Sequence, residues 1–257
     1  MNINNGEILS LVSLPDFDLN QREDISDKKF INRATKGVYE LGSVFKTFTI
    51  AAGFNYKLIS PSDIFKNLEK KMKCGGRVIS EYDENLPKDL SVEEILMHSS
   101  NIGSVKIGQI VGKEKMREFL GLIGILDKME FDIEEVGRPL SFKWRDCKLK
   151  TVSYGHGITV TPLQLAKGYA ILSNGGYQVN PTLIKKLDLT KRKKILNDDT
   201  SSKINSILRK VVISGTASLS DVDGYEVGGK TGTAQVVENG LYTKKKINTF
   251  ASVFPAS

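Results

Sequence analysis

The period of the apolar residues changes once along this chain, and that change excludes most folds. Before about residue 215 the pattern is helical, with Ile204, Ile207, Leu208, Val211 and Val212 falling on one face of a helix. After it, Val227 to Val237 and Ile247 to Phe254 are rich in Val, Ile, Thr and Phe and flank Asn239-Gly240, the turn signal of a β-hairpin. Near the amino terminus, Glu7 to Leu14 reads as a strand between Asn5-Gly6 and Pro15. One early strand, helices between and a late hairpin predict an α/β (α+β) fold: a largely antiparallel sheet joined by a helical insert over approximately residues 44–215. With 257 residues, 40% of them apolar, the chain suffices for one large domain or two small ones, and 1–257 is read as a single, partial domain.

Local signals place the helices. Residues 16–36 read as polar loop, and the apolar run from Val44 to Phe54 reads as a helix with Gly42-Ser43 at its start. After a mixed stretch over 57–90, Ser91-Val92-Glu93-Glu94 has capping-box spacing and opens a short helix ending near His98. Helices are predicted around 102–111 and 113–123, an irregular segment over 127–150, and a helix from Thr161-Pro162 to Asn174-Gly175-Gly176.

The formal charge of +7 suits an anionic partner or a merely soluble basic surface, and no aromatic-spaced basic stripe supports nucleic acid. Cys74 and Cys147 lack the spacing of a zinc or redox motif and read as structural or incidental; with only His98 and His156, an imidazole-built metal site is not expected, nor is a cofactor. No apolar run approaches the roughly 18 residues of a membrane span, and no export signal is present in the sequence.

Three short motifs carry chemistry. Ser43-Val44-Phe45-Lys46 puts a hydroxyl and an amine one helical turn apart, so an uncharged Lys46 could take the proton of Ser43. A second Ser-x-x-Lys, Ser26 to Lys29, lies in a polar loop and reads as a chance match. Ser99-Ser100-Asn101 offers a second hydroxyl for proton relay and an amide for a substrate carbonyl, although alone it reads better as an ordinary polar link between helices. Lys230-Thr231-Gly232-Thr233 puts a cation and two hydroxyls on a strand, fit to grip a carboxylate, against the plainer reading of an exposed edge lysine. Gly224 to Thr231 also fits a phosphate-loop pattern, but a nucleotide site needs a helix starting near Lys230, where the residues are β-branched.

In this order the three motifs are those of penicillin-binding proteins and serine β-lactamases. The chain resembles the class B penicillin-binding proteins, particularly the cell-division peptidoglycan transpeptidases, also through Gly6-Glu7-Ile8-Leu9, Tyr39 to Lys46, Tyr154 to Ala166 and Gly228 to Gln235. The resemblance implies their transpeptidase fold. It implies Ser43 as nucleophile on a D-Ala-D-Ala carbonyl, Lys46 as its base, and Ser99 with Asn101 for proton relay and substrate contact. Lys230, Thr231, Gly232 and Thr233 would bind the substrate carboxylate, and the N–H groups of Ser43 and Thr233 would form the oxyanion hole. Implied partners are peptidoglycan stem peptides, β-lactam antibiotics and other cell-division proteins, and the implied location is the periplasmic face of the bacterial inner membrane. The Glu-x-x-x-Asn of class A β-lactamases has its one match at Glu81 to Asn85, before Ser99 and so misplaced. His156 reads as structural, having no carboxylate at a telling spacing.

The resemblance also implies differences. The family has a strand before Gly6 and another strand with a helix after Pro255, two strands central to its sheet, so strand 7–14 is expected to have an unpaired edge. Ser252 stands where the family usually has glycine. The alternative is an inert fragment or remnant of such a protein, and after that a β-lactamase-like hydrolase.

Overall fold

The computed structural model describes residues 1–18, 20–21, 30–185, 192–238 and 241–256. Ser26 to Lys29 and the Asn239-Gly240 turn lie outside the described residues. At the centre, a 3-10 turn, Gly42–Phe45, runs into helix α1, Lys46–Asn55. Every side chain from Lys46 to Phe54 is buried, so α1 is covered on all sides and forms the middle of the core. Phe48 lies edge-on to both Phe45 and Tyr169, with centroids 5.1 and 5.5 Å away. The Tyr169 hydroxyl donates to the Val44 carbonyl at 2.8 Å and lies 2.9 Å from Thr47 Oγ1.

Short strands follow: β1 (Ile64–Phe65) pairs with β4 (Leu90–Ser91), and β2 (Lys71–Cys74) forms a hairpin with β3 (Arg77–Ser80). Helix α2, Val92–Met97, starts at Ser91, and both halves of the predicted capping box form. Helices α3 (Asn101–Val111) and α4 (Lys113–Leu122) pack against α1. Helix α5, Asp146–Ser153, falls partly inside the stretch expected to be irregular; Leu149 and Val152, three apart, supply its buried stripe. Helix α6, Pro162–Ser173, has a second complete capping box, between Thr161 and Gln164. Helix α7, Asp198–Ser214, buries the five residues assigned to one face.

Strands β5, Gly228–Glu238, and β6, Leu241–Val253, are antiparallel from Gly228↔Val253 to Glu238↔Leu241, with a register irregularity between Gln235 and Val237. β5 matches its sequence signal to within one residue, whereas β6 starts six residues earlier than expected because the ladder continues through polar residues. The mixed α/β fold with antiparallel strands agrees with expectation, but the strand predicted over 7–14 does not form. Glu7 makes a single parallel bridge to Thr182, and Leu9, Val12 and Leu14 are exposed. Alternating apolar residues make a strand only beside a partner that completes the ladder, and no neighbouring strand lies along this segment among the described residues.

Candidate active site

Strand β5 approaches the tip of α1 with no side chain between them. A Cβ on Gly232 would lie 2.3 Å from the Leu41 carbonyl oxygen, and one on Gly42, whose φ is +66°, would lie 2.4 Å from that of Thr233. Only glycine at both positions lets the backbones meet. A cleft of about 780 Å³ opens there, lined by Ser43, Ser99, Asn101, Thr231, Gly232 and Thr233, with His98, Tyr154, His156 and Ser214–Thr216 around them. The three motifs, spread along the chain from Ser43 to Thr233, therefore converge on one cavity.

Lys46 is buried at 1% exposure directly behind the cleft. Its amine donates to Ser99 Oγ at 3.0 Å and to the Ser99 carbonyl. Burial first, and the Lys230 charge second, hold Lys46 well below the ordinary lysine range, while the Glu81 carboxylate acts in the opposite sense. Ser99 has φ +59°, a left-handed backbone uncommon for a residue with a Cβ. It forms the link between α2 and α3, and its conformation turns both its carbonyl and its hydroxyl toward the amine.

Glu81 follows β3 and caps α3, an arrangement for which the sequence offered no local signal. Its Oε1 accepts from the Ser100 hydroxyl at 2.6 Å and the Ile102 N–H at 3.0 Å, and its Oε2 accepts from the Asn101 N–H at 2.7 Å. Asn101 Nδ2 donates to the Ser80 carbonyl at 2.8 Å, so the side chain is tied to the β2–β3 hairpin. That hairpin is joined to α5 by a disulfide between Cys74 and Cys147, with Cα atoms 5.2 Å apart. The cysteines read as structural or incidental are thus a covalent pair, which 73 residues of separation concealed.

Lys230 is fully buried, contrary to the plain reading of an exposed edge lysine. Its amine donates to the Thr231 carbonyl at 3.1 Å and to Thr216 Oγ1 at 3.3 Å, and burial lowers its pKa to about 7. Thr216 also lies 3.3 Å from Thr231 Oγ1. Sequence reasoning missed it; its one signal is the Ser-Gly-Thr run that ends α7 beside the cleft. Thr233 Oγ1 meets Asn248 Oδ1 at 3.1 Å. Since Lys230 lies within β5 and not at a helix start, the phosphate-loop pattern is excluded.

His156 does have a carboxylate: Nδ1 lies 3.4 Å from Glu40 Oε2. Its ring is stacked between Tyr154 and Tyr242, at 5.8 and 4.7 Å, and Tyr242 donates to Glu40 at 3.2 Å. Burial lowers the imidazole pKa, with Glu40 opposing and Arg77 and Lys148 adding to the fall. No serine hydroxyl bonds to His156 among the described residues, so a Ser-His-acid triad is not formed here.

The chain matches the family model described as "Penicillin binding protein transpeptidase domain" over residues 1–257. It is 33% identical over 264 residues to a protein of Caulobacter vibrioides named "Probable peptidoglycan D,D-transpeptidase FtsI", covering 99% of this chain and 44% of that one. A protein of Neisseria flavescens named "Probable peptidoglycan D,D-transpeptidase PenA" is 32% identical over 256 residues, covering 98% and 63%. The chain therefore spans about half the length of these curated relatives. Among solved structures, penicillin-binding protein 3 of Mycobacterium tuberculosis complexed with aztreonam superposes with a TM-score of 0.88 at 25% identity, over 100% of this chain and 62% of that one. The transpeptidase domain of Burkholderia pseudomallei penicillin-binding protein 3 gives 0.86 at 26% identity, over 99% and 74%.

Proposed function

Because the chain belongs to the penicillin-binding protein transpeptidase family, we propose that it is a peptidoglycan D,D-transpeptidase acting through an acyl-serine on Ser43, as a single domain over 1–257 with residues 44–215 as its helical insert. The observation that carries this reading is the buried Lys46 amine, depressed below the ordinary lysine range and bonded to Ser99 beside a cleft that also holds Ser43. A lysine can serve as base only when it loses its proton near working pH, and burial next to a second cation provides for that.

In this reaction Ser43 Oγ attacks the carbonyl of the penultimate D-alanine of a stem peptide, and its proton passes to Lys46. The tetrahedral oxyanion is held by the N–H groups of Ser43 and Thr233, on the two backbones that glycine brings together. The C–N bond breaks, and D-alanine leaves with a proton relayed from Lys46 through Ser99. The amine of a neighbouring stem peptide then attacks the acyl carbonyl, loses a proton along the same path and frees Ser43. Lys230 with Thr231 and Thr233 grips the terminal carboxylate, and Asn101 contacts the substrate backbone. A β-lactam takes the same path as far as the acyl-enzyme, in keeping with the aztreonam complex of the Mycobacterium structure. Glu81 is fully engaged by its three donors and is not free to activate a deacylating water, so the adduct is long-lived.

The relatives' names support a role in wall synthesis during cell division. The disulfide suits an oxidising compartment such as the periplasm. No helix among the described residues is long and apolar enough to cross a membrane. The test is covalent labelling with a fluorescent penicillin: wild type takes up the label at Ser43 and Ser43→Ala does not. Absence of adduct in well-folded wild type refutes the reading.

A further inference from the structure

Glu81 is a buried carboxylate to which the proposed reaction assigns no step. It is 8% exposed, yet none of the charged side chains forms a salt bridge with it among the described residues; its partners are three consecutive donors of the first turn of α3. The first turn of a helix presents unpaired N–H groups and a positive dipole end, so an anion there is stabilised without a cation. The residue immediately before those donors is Ser99, in the left-handed conformation, with both of its oxygens on the Lys46 amine. A strained φ persists only where its surroundings over-determine it, and Glu81 fixes the chain on the C-terminal side of the strain.

We propose that Glu81 is a positioning residue: through the first turn of α3 it holds Ser99 against the Lys46 amine. This rests on the transpeptidase reading above. The charged groups acting on Lys46 are Lys230, from β5, and Glu81, from the end of β3; the other groups facing it are the Ser99 hydroxyl and carbonyl, from the α2–α3 link. Lys230 disfavours a proton on Lys46 and Glu81 favours it. The sign follows: removing the Glu81 charge lowers the pKa of Lys46, so the free base exists at lower pH and the acidic limb of acylation moves down.

The experiment measures the second-order rate of fluorescent-penicillin acylation against pH for wild type, Glu81→Gln and Glu81→Asp, with thermal melting as a check on folding. Glu81→Gln loses the charge and presents an amide to at least one N–H donor, so its maximal rate falls about tenfold or more as Ser99 shifts. Its acidic limb moves to lower pH. Glu81→Asp keeps the charge but draws it back by one methylene, and it recovers most of the rate with a limb between the other two. A folded Gln variant with a reduced rate and an unmoved limb overturns the proposal, since loss of packing alone does not change the sign or place of a titration. If the Gln variant does not fold, an Asp limb identical to wild type overturns it as well, and collapse of both variants assigns Glu81 to structure alone. Failure of wild type to label refutes the transpeptidase reading, whereas normal labelling at Ser43 with an unmoved limb refutes only the role of Glu81.

Discussion

The two walls of the cleft are held by different physics. The wall of α1 and β5 is fixed by contact: two glycines let backbones touch, and the core surrounds α1 on every side. The wall of Ser99 and Asn101 is fixed by tethers to a small hairpin: the Glu81 carboxylate reaches it from there, the Asn101 amide reaches back, and a disulfide anchors the hairpin in turn to α5. Close packing is costly to disturb anywhere, because neighbours cannot yield. A tethered wall fails one link at a time.

That contrast is broken most severely at the packed wall. Gly42→Ala places a methyl 2.4 Å from the Thr233 carbonyl oxygen at a φ of +66°. Strain and overpacking together cost about 4 kcal/mol, and penicillin labelling is abolished; a labelling rate within tenfold of wild type would show that this wall can yield after all. Cutting the disulfide, by Cys74→Ser or by reduction, lowers stability by about 3 kcal/mol. Its further signature is selective: faster hydrogen exchange in β2–β3 and the start of α3, with α1 and β5 unchanged. Equal loss of protection on both walls would refute the distinction.

Titration sharpens it. Lys230 has a pKa lowered to about 7, so its cation is complete below that pH and is lost above it. Affinity for a carboxylate-bearing β-lactam therefore falls above about pH 7, by up to tenfold per unit. The same shift acts on stability: between about 7 and the ordinary lysine value the unfolded chain binds more protons, so stability rises with pH over that window. The two measurements move in opposite directions, and parallel falls would argue against a buried Lys230. The smallest effect is expected from Tyr169→Phe, which removes the hydroxyl that donates to Val44 next to Ser43 and costs about 1 kcal/mol by thermal denaturation.

The sequence carried the packed wall well and the tethered wall poorly. Ser91 and Thr161 announced their helices because a cap is a contact over three residues, and the buried face of α7 is a repeat that any window sees. The motif around Ser43 and the motif around Lys230 were legible as residue types, although nothing local said that Lys230 would be buried. Glu81 on Ser100, Cys74 to Cys147 and Glu40 on His156 join residues 19 to 116 positions apart, so no periodicity marks them. The order of Glu81 in the chain rules out one hydrolytic role but says nothing of its place in space. The strand predicted over 7–14 failed for the converse reason: its pattern is genuine but pairing is not a local property.

Ser99 puts backbone comfort and chemistry in conflict. Glycine is the residue its φ of +59° favours, and Ser99→Gly would relieve the strain while deleting the hydroxyl that meets Lys46 and keeping only the carbonyl. A library of this protein selected for heat resistance alone should therefore drift toward glycine at 99 and become tougher and silent together, whereas selection for wall building must keep the awkward residue generation after generation.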